Sequence, residues 1–126
     1  MSERLRDVVG QLAIQPTSRV LEIGCGQGVA ATMVCQLLTT GTYTAIDRSV
    51  KMIEAATRRN APYVSSGRAE FLIASLEDAN LGDRRFDVVF AVRVGLFHRD
   101  PTRAHSLLAP WLAPGAHVQS FFDVPV

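Results

Sequence analysis

The chain has few of the residues that mark a secreted, disulfide-rich or metal-binding protein. Only two of its 126 residues are cysteine, Cys25 and Cys35, and neither a C-x-x-C pair nor a zinc-type histidine spacing is present. A disulfide framework and a structural metal are therefore not indicated. Two isolated cysteines are typical of a protein whose thiols stay reduced, so we expect a cytoplasmic location.

Net charge and long apolar runs are also lacking. There are 13 basic and 12 acidic residues, for a formal charge of +1. Proteins that bind nucleic acid mainly through its phosphates carry a marked basic excess, so we expect no nucleic-acid partner. The apolar runs stay well short of the ~20 residues of a membrane helix, and the opening MSERLRDVVG lacks the apolar core of a signal peptide. We therefore expect no membrane association.

The chain does have enough apolar material for one core, since 48% of its residues are hydrophobic. A chain of this size folds as a single domain without the help of disulfides. We therefore expect one domain over residues 1–126.

Short apolar runs alternate with segments of helical periodicity, which is typical of strand–helix–strand units. Runs such as FDVVFAV are apolar at consecutive positions, as in parallel strands covered by helices on both faces. A break at Pro114 and Gly115 indicates a turn before the last strand, which shows no Pro or bulge signal of its own. The predicted class is α/β with a doubly wound parallel sheet. Strands are predicted at Arg19–Ile23, 42–46, Ala69–Ile73, Phe86–Val92 and 116–122, and helices at 3–12, 29–38, 49–59 and 102–112.

The stretch RVLEIGCGQGVAA contains a glycine-rich turn between the first strand and the next helix. Gly24 permits the sharp turn, Gly26 lets the backbone lie against a ligand, and Gly28 allows the helix to approach closely. Asp47 ends the second strand, at about the offset from which an acidic side chain reaches the hydroxyls of a ribose. This combination predicts a nucleoside site, and the alternative for Asp47 is a helix cap.

Glu22, two residues before the first glycine, indicates which kind of nucleoside is bound. An acidic side chain there opposes a pyrophosphate, and the spacing G-x-G-x-G differs from the dinucleotide pattern G-x-G-x-x-G. A ligand that carries an ammonium group fits better. The alternative is that Glu22 makes only a local hydrogen bond at the end of the strand.

At this point the sequence resembles the class I S-adenosylmethionine-dependent methyltransferases. LEIGCGQG is similar to their first motif and TAIDRS to their second, and FLIASLEDANL, RFDVVFAVRVGLFH and LLAPWLAPGAHV follow in the family's order. The resemblance implies a Rossmann-like sheet of five strands in the order 3-2-1-4-5. It also implies that the family's C-terminal antiparallel hairpin is missing, because the sequence stops at FFDVPV.

The resemblance implies a set of cofactor-binding residues, with S-adenosyl-L-methionine as the cofactor. The methionine portion is expected near the glycine loop, the ribose at Asp47, the adenine beside Arg48, and the sulfonium near the end of the fourth strand. Ser75 stands where many family members have an adenine-binding Asp. The full set is Glu22, Gly24, Cys25, Gly26, Gly28, Asp47, Arg48, Ser75, Leu76, Ala91 and Arg93.

Three of the reactive residues have alternative interpretations. Arg93 is expected to bind the cofactor carboxylate or an anionic acceptor, or else to form a salt bridge with Asp100 or Asp87. Cys25 is interpreted as a small filler in the loop rather than a nucleophile. His98 is the candidate general base of the reaction, and the alternative is a surface residue at the end of a helix.

The predicted function is methyl transfer from S-adenosylmethionine to a small-molecule acceptor. The alternatives are a non-catalytic S-adenosylmethionine-binding module that supports a partner protein, and a nicotinamide-dependent enzyme. The fifth strand is expected to be a sheet edge with the apolar residues Val118, Phe121 and Phe122. Such an edge recruits a second chain, so a homodimer through this edge is predicted.

Overall fold

The structure, a computed structural model, describes residues 3–122. Its centre is a sheet of five strands in the order β3-β2-β1-β4-β5. Every neighbouring pair of strands is parallel, so the carboxyl ends of all strands lie at one edge of the sheet. The strands are β1 (Arg19–Ile23), β2 (Thr42–Asp47), β3 (Ala69–Ile73), β4 (Phe86–Val92) and β5 (Leu112–Phe121).

Helices occupy both faces of this sheet. They are α1 (Glu3–Gln11), α2 (Val29–Leu37), α3 (Val50–Arg59), α4 (Ala61–Ser65), α5 (Gly95–Arg99) and α6 (Pro101–Leu108), followed by a 3-10 turn at Ala109–Trp111. Within residues 3–122, none of these helices combines the length and the apolar character that crossing a membrane requires.

Alternation along the strands divides the core into two clusters. On β1, Val20 packs with α1, α2 and α3 on one face, while Leu21 and Ile23 pack with α5 and α6 on the other. All three side chains are at most 2% exposed. Burial on both faces explains the uninterrupted apolar runs of β1 and β4, because after Arg19 neither of these two strands has an exposed position.

Most of the predicted elements are confirmed. β1, β3 and β4 have the predicted bounds, β2 is one residue longer, and the order of the strands is as predicted. Ser49 caps α3, since its Oγ accepts the N–H of Met52 at 3.2 Å. The short helices α4 and α5 were not predicted, because five residues are too few to display a periodicity.

The region before the last strand differs from the prediction. The single helix predicted at 102–112 ends at Leu108 and continues as a 3-10 turn that contains Pro110, whose ring cannot continue an α-helix. β5 begins at Leu112 instead of residue 116 and ends at Phe121 instead of residue 122. It therefore includes Pro114 and a register shift opposite Phe86 and Val88, which corrects the expectation of an edge without Pro or bulge.

Candidate functional site

Two adjoining clefts open at the carboxyl ends of the strands, where the glycine loop leaves β1. Both are lined by Gly24, Val92 and Arg93, so these residues mark the junction of the clefts. The first cleft, of about 280 Å³, is also lined by Ile23, Ile46, Asp47, Arg48, Ala74, Ser75, Leu76, Glu77, Val94, Gly95 and Leu96. The second, of about 390 Å³, is also lined by Leu5, Glu22, Cys25, Gly26, Gln27, Val29 and Ala30.

The glycine loop is bonded to the end of β2. The N–H groups of Gly24 and Cys25 donate to the carbonyl of Ile46 at 2.8 and 3.2 Å. Gly26 has φ 55°, and a methyl group added at its Cα meets no atom within 4 Å. The space in front of Gly26 is thus open to the second cleft, which Gly26 lines.

Gly28 has a different role from Gly26. It has φ 82°, and an added methyl group would lie 2.7 Å from Nδ2 of Asn60 and 2.9 Å from Cβ of Ala56. Gly28 therefore allows α2 to pack closely on α3, as predicted, and it is not among the residues that line either cleft.

Asn60 connects the same two helices. Its side chain is 1% exposed, and its Nδ2 donates to the carbonyls of Gly28 and Ala56, each at 3.0 Å. Its Oδ1 accepts the hydroxyl of Thr32 at 2.7 Å. These bonds fix the start of α2, and with it the glycine loop, against the end of α3.

Asp47 connects two backbone segments, and the helix cap of α3 is Ser49 and not Asp47. Its Oδ2 accepts the N–H of Gly26 at 2.9 Å, and its Oδ1 accepts the N–H of Ser49 at 2.9 Å. The carboxylate therefore holds the glycine loop and the turn before α3 at once. It also lines the first cleft, and each carboxylate oxygen can accept a further hydrogen bond.

Glu22 is buried beside the second cleft with 3% exposure, and it accepts a hydrogen bond from the hydroxyl of Tyr43 on β2. The pKa of Glu22 is raised to about 8, mainly by burial and also by the nearby charge of Asp47, while the hydrogen bond from Tyr43 opposes the shift. A carboxyl group in this position gains from a cationic partner, because a nearby positive charge favours its ionised form.

Ser75, Leu76 and Arg48 also line the first cleft. Ser75 donates both its N–H and its hydroxyl to Oδ1 of Asp78, at 2.9 Å each. Leu76 is 4% exposed and packs in the core cluster of α5 and α6. Here the cleft is therefore lined by a hydrogen-bonded turn at Ser75 and by the apolar side chain of Leu76.

Arg93 stands at the junction in an unusual backbone conformation. Its φ is 58°, a left-handed value that is uncommon for a residue other than glycine. Its N–H donates to the carbonyl of Phe121 on β5 at 2.8 Å, and its side chain is exposed. Strained backbones of this kind concentrate at functional sites.

The two acids considered as salt-bridge partners of Arg93 are engaged elsewhere. Asp87 pairs with Arg19 at 2.9 Å, and the guanidinium of Arg19 lowers the pKa of that carboxyl. Asp100 caps α6 by accepting the N–H of Arg103 at 3.1 Å.

Besides Gly28, three predicted site residues either lie outside both clefts or carry no reactive group. Ala91 is fully buried in β4 and does not line either cleft. His98 lies on the exposed side of α5, with its ring centroid 4.9 Å from that of Phe122, and it also lines neither cleft. Cys25 lines the second cleft, but burial raises the pKa of its thiol far above neutral, as expected of a filler.

Other residues of the site gave no recognisable signal in the sequence. Leu96 lines the first cleft from α5, a helix too short to predict, and Leu5 lines the second cleft from α1. Leu5 was recognisable only as part of an apolar helix face. Tyr43 lies next to Val20 in the β1–β2 ladder, two positions from Glu22 along β1, so its contact with Glu22 depends on a strand register that local sequence signals do not determine.

The fold and site together define a class of α/β domains that bind nucleosides at the carboxyl edge of a parallel sheet. Comparisons with known proteins identify the family. A family profile described as a methyltransferase domain matches residues 20–115. The chain therefore belongs to the methyltransferase domain family, and the resemblance to the class I S-adenosylmethionine-dependent enzymes is confirmed.

Individual relatives agree with this assignment. The chain is 31% identical over 119 residues to an O-methyltransferase, rstn1, of Aspergillus nomiae, which covers 94% of this chain and 49% of the relative. It is 28% identical to phosphoethanolamine N-methyltransferase 1 of Arabidopsis thaliana over 92% of this chain and 23% of the relative. The chain thus spans half or less of the length of these curated relatives.

Solved structures match over nearly the whole chain. An S-adenosylmethionine-dependent methyltransferase from Thiobacillus denitrificans, in complex with S-adenosyl-L-homocysteine, superposes with a TM-score of 0.77 at 25% identity, covering 95% of this chain and 48% of that one. The [4+2]-cyclase SpnF has the same TM-score and identity, with coverage of 93% and 43%.

Proposed function

We propose that this chain binds S-adenosylmethionine and transfers its methyl group to a small-molecule acceptor. The observation that carries the proposal is the pair of clefts that meet at the glycine loop, with Asp47 in one cleft and Glu22 in the other. A nucleoside joined to an amino acid needs this arrangement: a hydroxyl acceptor on one side and an acid for an ammonium group on the other.

The residues present fit that ligand. Gly26 presents open space and a bare backbone to the second cleft, and Asp47 keeps accepting capacity for the two hydroxyls of a ribose. Glu22, with its raised pKa of about 8, gains a partner for its ionised form when an ammonium group arrives. Arg48, Ser75 and Leu76 are proposed to surround the adenine.

Methyl transfer requires little of this protein beyond the correct orientation of the acceptor and the methyl donor. S-adenosylmethionine supplies an activated methyl group on a sulfonium. The residues at the junction of the clefts then need to align the acceptor with that group and to exclude water, and positioning alone contributes roughly 7–11 kcal/mol. The prediction of His98 as a base gains no support from its place outside both clefts.

The curated relatives favour methyl transfer over the two alternatives. Relatives over most of this chain are named as O- and N-methyltransferases, which speaks for catalysis and against a purely supporting module. A solved neighbour crystallised with S-adenosyl-L-homocysteine speaks against a nicotinamide cofactor. The acceptor differs among these relatives, so their names do not identify the acceptor of this chain.

The experiment that tests cofactor binding is calorimetry on Asp47→Ala with S-adenosylhomocysteine. Two charge-assisted hydrogen bonds of roughly 1.5–3 kcal/mol each predict a loss of at least about tenfold in affinity. Asp83→Ala, which removes an exposed carboxylate outside both clefts, is the matched control and should bind as the parent does. An unchanged affinity in a folded Asp47→Ala variant, or preferential binding of NAD by the parent, contradicts the assignment.

A further inference from the structure

A buried tyrosine holds the acid of the second cleft. The hydroxyl of Tyr43 on β2 donates to Oε1 of Glu22 on β1. Tyr43 is 1% exposed, and its ring packs against that of Phe71, with the two ring centroids 5.8 Å apart. Tyr43 lines neither of the two clefts, whereas Glu22 lines the second. Any effect of the Tyr43 hydroxyl on a ligand therefore passes through Glu22.

The surroundings of Glu22 oppose its negative charge. The carboxyl group is buried and Asp47 carries a second negative charge nearby, and both of these raise the pKa of Glu22. The side chains of α1 and α2 that line the second cleft beside it, Leu5, Val29 and Ala30, are apolar. A carboxyl group in such a place favours its protonated form, which has no charge to attract an ammonium group.

Further titratable side chains surround the Tyr43–Glu22 pair. The thiols of Cys25 in the glycine loop and Cys35 on α2 stay protonated, because burial raises the pKa of each well above neutral. Arg93, directly after β4, lines the second cleft together with Glu22. The hydroxyl of Tyr43 is the neighbour bonded to the carboxyl group, and this bond lowers the pKa of Glu22 against the effect of burial.

The Tyr43 hydroxyl is suited to this role because it remains a donor. Burial and the neighbouring charge of Glu22 raise the pKa of Tyr43 well above its usual value, so the hydroxyl keeps its proton. A donated hydrogen bond stabilises the ionised carboxylate more than the neutral acid. Since each carboxylate oxygen can accept more than one hydrogen bond, the bond to Tyr43 leaves accepting capacity on Glu22 for a ligand.

We infer that Tyr43 is a positioning residue for the cofactor, which holds the Glu22 carboxylate in place for the ammonium group of an amino-acid ligand. This inference rests on the proposed function. Because Tyr43 acts through Glu22, removal of its hydroxyl should weaken only ligands that carry the ammonium group. S-adenosylhomocysteine carries that group, whereas 5′-methylthioadenosine has the same nucleoside and a thioether but no amino acid.

The test is calorimetry at pH 8 on Tyr43→Phe with these two ligands. A hydrogen bond to a charged group is lost, so the affinity for S-adenosylhomocysteine should fall about fivefold or more, and that for 5′-methylthioadenosine should stay within about twofold. Retained binding of 5′-methylthioadenosine also shows that the variant is folded. Tyr63→Phe, at a half-buried tyrosine of α4 outside both clefts, is the matched control and should bind both ligands as the parent does.

The pH profile separates positioning from a merely structural role. Loss of the Tyr43 hydrogen bond raises the pKa of Glu22, so the affinity for S-adenosylhomocysteine should begin to fall at a higher pH in Tyr43→Phe than in the parent as the pH is lowered. The ammonium group of the ligand titrates equally in both experiments, so it does not contribute to this difference. In a Glu22→Gln background no carboxylate titrates, and Tyr43→Phe should then change the affinity by less than about twofold.

Four results would overturn the inference. They are an unchanged affinity of Tyr43→Phe for S-adenosylhomocysteine, equal losses for the two ligands, an unchanged pH profile, and the same loss in the Glu22→Gln background. If the parent protein binds neither ligand, the proposed function fails, which is a different result from normal binding by both the parent and Tyr43→Phe.

Discussion

Replacing Gly28 by alanine should destabilise the protein strongly without occupying the ligand space, whereas the same change at Gly26 should occupy the ligand space and destabilise the protein only through its backbone conformation. Gly28 faces α3, where an added methyl group lies 2.7 Å from Asn60 and 2.9 Å from Ala56. Gly26 faces open space beside the second cleft. The two glycines are two residues apart in one loop. Comparing the two substitutions therefore separates an effect on packing from an effect on ligand binding.

The size of the effect follows from two terms. A left-handed backbone costs a non-glycine residue roughly 1–2 kcal/mol. Overpacking adds about 1–3 kcal/mol at Gly28, because α3 has to move for the methyl group to fit. Together the two terms lower the free energy of unfolding by about 2–5 kcal/mol. In a chain of this size a loss of 1 kcal/mol lowers Tm by about 4 °C, so Gly28→Ala should unfold roughly 8–20 °C below the parent.

Thermal unfolding followed by circular dichroism measures the effect, and Gly67 supplies the control. Gly67 has the same φ of +82° as Gly28, but a methyl group added there meets nothing within 4 Å. Gly67→Ala should therefore show the backbone cost alone, and Gly28→Ala should lie clearly below it. Equal Tm values for these two variants would refute the packing argument. In the same series Gly26→Ala should unfold near Gly67→Ala, yet lose most of its affinity for S-adenosylhomocysteine.

Three further predictions follow from the buried polar groups and the sheet edge. Affinity for S-adenosylhomocysteine should fall by about 50-fold from pH 8 to pH 6 by calorimetry, since Glu22, with its pKa of about 8, takes up a proton and loses the negative charge that attracts the ammonium group. A Glu22→Gln variant with the same pH profile would contradict this. Asn60→Ala should lower the free energy of unfolding in urea by about 2 kcal/mol or more, because it removes three buried hydrogen bonds, to the carbonyls of Gly28 and Ala56 and to the hydroxyl of Thr32. An unchanged midpoint argues against the role of Asn60. β5 lies at the edge of the sheet, so sedimentation at micromolar concentration should show a dimer, and a monomer at every concentration rules that proposal out.

The sheet and its ligand edge could be predicted because each strand carries its own signal. β1 and β4 are continuous apolar runs, and the glycines after β1 and Asp47 after β2 lie at fixed offsets from them. Since parallel strands bring their carboxyl ends to one edge, these local signals were enough to bring Gly26 and Asp47 together, and the structure joins them by a hydrogen bond of 2.9 Å.

What could not be predicted depends on contacts between distant segments. The Tyr43–Glu22 hydrogen bond requires the register between β1 and β2, and the packing of Asn60 on Gly28 requires the crossing of two helices. α5 has only five residues, too few for a periodicity, although it supplies Leu96 to the first cleft. Ala91 was placed correctly in β4, but the face it occupies is buried.

The irregularity in β5 means that the number of residues before the regular part of this strand does not determine where that part lies beside the site. Between the pairs Phe86–Leu112 and Val88–His117, β5 advances five residues while β4 advances two, and Gly115 lies in this excess with φ 77°. The segment after it pairs regularly with β4 up to the carbonyl that holds the N–H of Arg93. An insertion or deletion near Gly115 is therefore absorbed by the excess, so this strand tolerates changes of length that would shift the register of any other strand in the sheet.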